Sequence, residues 1–109
     1  MSGIISQIGA RSKIVSGNVG IGTAAPGAPL SVYVDSSTTD TPTLKIEQDG
    51  AGDASTVYTL TGLTNWATGI DHTDDKFKIS NSTDLINVCV FAAEPSGDIT
   101  FTGDLIMAD

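Results

Sequence analysis

The densest group of side chains that could do chemistry is Asp71-His72-Thr73-Asp74-Asp75. Its oxygens could hold a hard cation such as Ca²⁺, which takes about six to eight oxygen ligands. The spacing fits no EF-hand-type loop, however, and a solvated hairpin tip is the simpler reading. His72 is the sole histidine. Any Ser-His-Asp triad must therefore use it, from an exposed turn between carboxylates and with no G-x-S-x-G elbow elsewhere. One His and one distant Cys do not make a zinc site. Gly20-Ile21-Gly22-Thr23-Ala24-Ala25 matches G-x-G-x-x-A, but that dinucleotide fingerprint needs a helix opening after it. Pro26, Gly27 and Pro29 follow instead, and no Gly-Lys-Ser/Thr is present for a P-loop. Carboxylate pairs for glycoside hydrolysis need a cleft walled by bulk, which one Trp and two Tyr scarcely provide. Cys89 is the only cysteine. It forms no disulfide within the chain and reads as a small buried hydrophobe rather than a nucleophile. Asn81-Ser82-Thr83 matches a glycosylation sequon and reads as a turn. Trp66, beside Gly69, could contact a sugar, but packing across strands is the better reading in so aromatic-poor a chain. No catalytic, cofactor-binding or metal-binding residue is therefore expected, and the chain reads as a non-enzyme.

The elements that would carry these residues are strands. Gly17-Asn18-Val19-Gly20-Ile21-Gly22-Thr23 alternates small and apolar residues and ends at Pro26, and Gly97-Asp98-Ile99-Thr100-Phe101-Thr102-Gly103 repeats the pattern near the other end. Period-two alternation punctuated by glycine is a strand signal, and two copies suggest a modular β-architecture. Leu30, Val32 and Val34 share one strand face. The polar run 35–42 is a loop. Leu44 and Ile46 form one face of a further strand, with Lys45 and Glu47 opposite. Asp49-Gly50-Ala51-Gly52-Asp53 is a turn, and Ser55 to Thr61 is a Thr-rich strand. Trp66 to Asp71 and Lys76 to Ser80 flank His72 to Asp75 as a hairpin. Leu85 to Ala92 is the most apolar strand, and Glu94-Pro95-Ser96-Gly97 turns the chain into Asp98 to Thr102. Six to eight short strands are predicted, about as many as a small sheet protein holds.

Residues 1–16 differ from the rest. Ile4, Ile5, Ile8, Ile14 and Val15 stand beside Arg11 and Lys13, two of the five basic residues. Gly3 and Gly9 flank the first three isoleucines and leave too little length for a helix. The segment reads as an extended arm, with a frayed terminus the competing reading.

Composition narrows the class of partner. At 109 residues with 6% aromatics, the chain buries a modest core, and association with its own copies is one way to supply the rest. Thirteen acidic against five basic residues give a net charge of −8. That argues against nucleic acid and anionic membrane surfaces as partners. No apolar run approaches the ~20 residues of a membrane span, and Ser6-Gln7 interrupts any signal-peptide core.

The stretch GNVGIGT-x-x-P-x-x-x-L-x-V, residues 17–32, resembles a segment that recurs in bacteriophage tail fibres and related virion fibres. Trp66-Ala67-Thr68-Gly69-Ile70-Asp71 with Asp75-Lys76-Phe77-Lys78-Ile79-Ser80 is similar to their W-x-x-G-x-D…D-K-F-K-I-S stretch. The run from Gly97 onward is similar to their G-D-I-T-F-T-G-D-L segments. Together these cover roughly the last five-sixths of the chain. In long fibres the first motif often lies far along the chain, near a chaperone or receptor-binding domain. Here it follows sixteen residues, and nothing resembling a chaperone follows.

The resemblance implies an all-β, fibre-like, homotrimeric structure with an extended N-terminal arm. It would be a structural virion protein, the N-terminal part of a phage tail fibre or spike assembled in the host cytoplasm. The expected division is an attachment arm over 1–16, the glycine-rich strand and Pro/Gly linker over 17–29, and a β-rich fibre or head domain over 30–109 that continues beyond 109. Ile4, Ile5, Ile8, Arg11, Lys13 and Ile14 are expected to dock on another virion protein. Val19, Ile21, Val88, Val90, Ile99 and Phe101 are expected in the oligomer core. A host-surface glycan would be met by a region beyond this chain. Two other readings stand beside this one, a capsid decoration or head-fibre protein and a carbohydrate-binding module or glycan-depolymerase fragment.

Overall fold

The computed structural model describes residues 12–38, 40–86 and 89–108. It is all-β, with eight strands in two sheets and no helix among the described residues. The chain divides into two units, the first ending at Lys45 and the second spanning Ile46–Asp109. This division differs from the expected boundaries at 16 and 29, because pairing ties those segments together.

In the first unit, β1 (Ser12–Val15), β2 (Asn18–Ile21) and β3 (Leu30–Val32) form one sheet in that order. The end of the predicted arm is therefore strand. β1 and β2 are antiparallel, with Val15 opposite Asn18, and Ser16-Gly17 is the two-residue turn between them. Both turn residues have positive φ, 51° and 84°. That is the type I′ geometry whose twist suits a hairpin, and glycine makes it accessible. β2 and β3 run parallel. The Val19 N–H donates to the Pro29 carbonyl at 2.8 Å, and the Tyr33 N–H donates to the Ile21 carbonyl at 2.8 Å.

Alternation and register place Ile14, Val19, Ile21, Leu30 and Val32 on one face of this sheet. That face does not form a core: Ile14, Ile21 and Leu30 are exposed, and Gly20 is the only buried residue described in the unit. Gly20 and Gly22 meet backbone of the same chain at close range. A Cβ on Gly20 would overlap the Thr23 carbonyl oxygen, and one on Gly22, whose φ is +78°, would overlap that of Tyr33.

The predicted strand through Leu44 and Ile46 does not form; residues 41–50 contain no strand, and both side chains are exposed. Their alternation with Lys45 and Glu47 fits the pattern of a strand, but no neighbouring strand supplies the ladder hydrogen bonds that a strand requires.

The second unit is an antiparallel meander. β4 (Ala54–Leu60), β5 (Thr64–Asp71), β6 (Lys76–Ser80), β7 (Cys89–Ala93) and β8 (Ile99–Phe101) lie side by side in chain order. The hairpin around residues 72–75 forms as predicted. Gly62 at φ 80° closes β4–β5, and Gly97 at φ 103° helps close β7–β8. The most apolar predicted strand, Leu85 to Ala92, is described as strand over Cys89–Ala93, while residues 81–86 form bends that carry the fully buried Leu85. Within β5, Gly69 is buried. A Cβ there would overlap the Ala54 carbonyl oxygen and crowd the Ser55 backbone, so glycine permits the close approach of β4 to β5.

The two GNVGIGT-like copies occupy unlike places. The first forms the central strand of one sheet and the second an edge strand of the other. What they share is local: each strand lies between glycines of positive φ, Gly17 and Gly22 in the first copy, Gly97 and Gly103 in the second.

Candidate functional site

The five-stranded sheet has two contrasting faces. Cross-strand partners lie on the same face and alternate residues on opposite faces. Register therefore places Tyr58, Trp66, Ile70, Phe77, Phe91 and Phe101 together on one face, spanning all five strands. Tyr58 stands directly across from Trp66, Ile70 from Phe77, and Phe91 from Phe101. The Phe91 and Phe101 rings meet edge to face, 5.4 Å between centroids at 70°, a favoured aromatic geometry. Asp71, Lys76 and Lys78, the charged residues of these five strands, all fall on the other face.

Burial runs opposite to the usual rule. The charge-bearing face contains the buried Ala67, Gly69, Asp71, Lys78, Ser80 and Ala92. The apolar face is open, with Trp66 38% exposed, Ile70 50%, Phe77 46% and Phe101 50%. The described apolar core amounts to Ala67, Leu85 and Ala92. A contiguous open apolar face is the informative departure, since large exposed patches on soluble domains mark interaction surfaces.

His72 to Asp75 at the hairpin tip are exposed, and beneath them Asp71 and Lys78 form a buried ionic cluster. Lys78 Nζ donates to Asp71 Oδ2 at 2.6 Å and lies 2.9 Å from Asp74 Oδ2. Asp71 is 1% exposed and Lys78 8%. The remaining Asp71 oxygen, Oδ1, accepts the Thr73 N–H at 2.7 Å. The Lys78 hydrogen bond holds the Asp71 carboxyl below its ordinary range, against the opposing effect of burial. Burial opposes the Lys78 charge, but the hydrogen bonds to Asp71 and Asp74 outweigh it and raise the ammonium above its ordinary value. The turn is fixed further by the Asp75 N–H on the Asp71 carbonyl at 2.9 Å and the His72 N–H on Asp53 Oδ1 at 2.9 Å. Lys76 reaches Glu94 at 2.9 Å. A cation already occupies this tip, the ammonium of Lys78. Among the described residues, no group of three or more His, Cys, Asp or Glu side chains is placed to hold a metal ion.

The residues singled out from the sequence do not form a single constellation. Ile4, Ile5, Ile8 and Arg11 lie outside the described residues, as does Val88. Lys13 and Ile14 belong to β1, opposite Gly20 and Val19. Val19 and Ile21 are on the apolar face of the first sheet. Ile99 and Phe101 are on the open face of the second, while Val90, one residue from Phe91, points the other way. Cys89 is half-buried, and its thiol donates to the Phe91 carbonyl at 2.8 Å. Tyr58, Ile70, Phe77 and Phe91 were not singled out. The signal for them was the apolar alternation in Tyr58-Thr59-Leu60, Trp66-Ala67-Thr68-Gly69-Ile70 and Phe77-Lys78-Ile79, read together once the register is known.

No family model matches the chain, and no curated protein sequence matches it.

Proposed function

We propose that the chain is a structural virion protein, the N-terminal part of a phage tail fibre or spike. In this reading it self-associates as a homotrimer, anchors to the particle and supports host attachment without catalysis. The supporting observation is the mismatch between a described core of Ala67, Leu85 and Ala92 and the large apolar side chains left open on the second sheet. A chain with so little internal burial gains stability by burying that surface in an assembly. The fibre resemblance of residues 17–32, 66–80 and 97–105 adds the virion setting and the three-fold symmetry. Among the described strands β1 is the outer one of its sheet, and its edge is where a strand of a neighbouring virion protein would be added. That edge carries Lys13 and Ile14 of the expected attachment set, continuous in sequence with Ile4, Ile5, Ile8 and Arg11.

The test is deletion of residues 2–16. The truncated chain should remain oligomeric by sedimentation yet be missing from purified particles. Incorporation of the truncated chain at the full-length level would overturn the attachment role.

A further inference from the structure

We infer that the charge-free face of the five-stranded sheet is buried against the same face of the other copies of this chain, around the axis that relates them. The inference rests on the self-association proposed above, and it locates the surface through which the copies meet.

Three observations select this face and this occupant. The first is composition. The face combines Tyr58, Trp66, Phe77 and Phe101 with aliphatic side chains and carries no charge. Aromatic enrichment with depletion of charge is the signature of an interface centre.

The second is area. The four aromatic residues are 38% to 58% exposed. With ~150–250 Å² for a whole aromatic side chain, they and the half-exposed Leu60, Ile70 and Ile99 present on the order of 700 Å². The largest apolar patch of a typical monomer is roughly 300–600 Å², while a standard interface takes about 800 Å² from each partner. The face is thus near the size one partner contributes to a stable complex.

The third is charge. Two copies, each of net charge −8, repel through most of their surfaces. A neutral face is where identical acidic chains can meet without desolvating like charges, whereas a basic partner would gain nothing there from the acidic surface. Sheets that converge through such faces bury their apolar side chains in one shared layer between the copies.

Trp66 is the only tryptophan and lies within this face, so the unmodified chain reports on its own interface. The experiment follows Trp66 emission and acrylamide quenching in the full chain across a dilution series, with sedimentation on the same samples. Concentrated samples should be oligomeric, with blue-shifted and quencher-protected emission. Dilution should bring dissociation, a red shift and quenching together. Ile70→Asp should give a folded monomer by circular dichroism with Trp66 fully quenchable. Val57→Asp, an exposed position on the opposite face, should leave the oligomer intact. An oligomer whose Trp66 stays quenchable, and which survives Ile70→Asp, would overturn this assignment while leaving self-association standing. A monomer at every concentration would overturn both, and would leave the face to a partner of another kind.

Discussion

At the scale of single residues, the most consequential contact is Lys78 with Asp71 and Asp74. A buried ion pair adds little relative to a well-packed apolar pair, but stranding one member is costly. Lys78→Met leaves the buried Asp71 carboxylate with the Thr73 N–H and hydroxyl as partners but without its counter-charge, and should destabilise the second unit by about 3 kcal/mol in urea unfolding. Asp71→Asn in the Lys78→Met background should recover part of that loss, because it removes the stranded charge. The double variant faring worse than Lys78→Met alone would show that the charge of Asp71 is not what the lysine satisfies. The pair also sets a pH window. The folded-state value of Asp71 is depressed, so its contribution is complete above its unfolded value and fades as pH falls below about 4. That of Lys78 is raised, so its contribution is complete below its unfolded value and fades as pH rises above about 10.5. The wild-type chain should therefore lose stability at both extremes, and the Asp71→Asn/Lys78→Met chain should show a flatter profile in thermal melts between them.

At the scale of elements, glycines sort by what surrounds them. Gly69 sits where a Cβ would overlap the β4 backbone, so Gly69→Ala should part β4 from β5 and cost about 1–3 kcal/mol. Gly17 has open space around it but a φ of 84°, so Gly17→Ala should cost about 1–2 kcal/mol from the left-handed conformation alone. Gly27 has neither constraint, and Gly27→Ala should be neutral or stabilising by up to about 1 kcal/mol. Hydrogen exchange, read separately for β1–β3 and β4–β8, checks the order; equal effects at all three sites would mean that backbone geometry does not govern these positions. The same contrast explains what could be read in advance. Hairpins announced by local chemistry, such as Asp71 to Lys76 around a polar turn, were legible because turn residues and flanking alternation are adjacent in sequence. The Leu44–Ile46 strand was misread because alternation is a necessary property of a strand but does not provide its partner. Asp71 read as part of a solvated tip because its meeting with Lys78 depends on register across the turn. The open apolar face was invisible for the same reason: each strand contributes two or three residues, and only pairing brings them onto one surface.

At the scale of the whole molecule, the balance between the apolar face and the charge of −8 decides how association responds to salt. Contacts held by ion pairs weaken as salt is added, because screening removes their attraction. Here the face proposed to meet its copy carries no charge, while the remaining charge is a source of repulsion between copies. Shortening the Debye length from ~14 Å near 0.05 M to ~4 Å near 0.5 M should remove that repulsion and leave the apolar attraction intact. The oligomer should therefore be tighter at the higher ionic strength, and its unfolding midpoint, which rises with protein concentration for any assembly that binds only folded chains, should rise further with salt. Sedimentation equilibrium at the two ionic strengths measures the change directly. If association weakened with salt, charged contacts would be holding the copies together, and the apolar sheet face would not be where they meet.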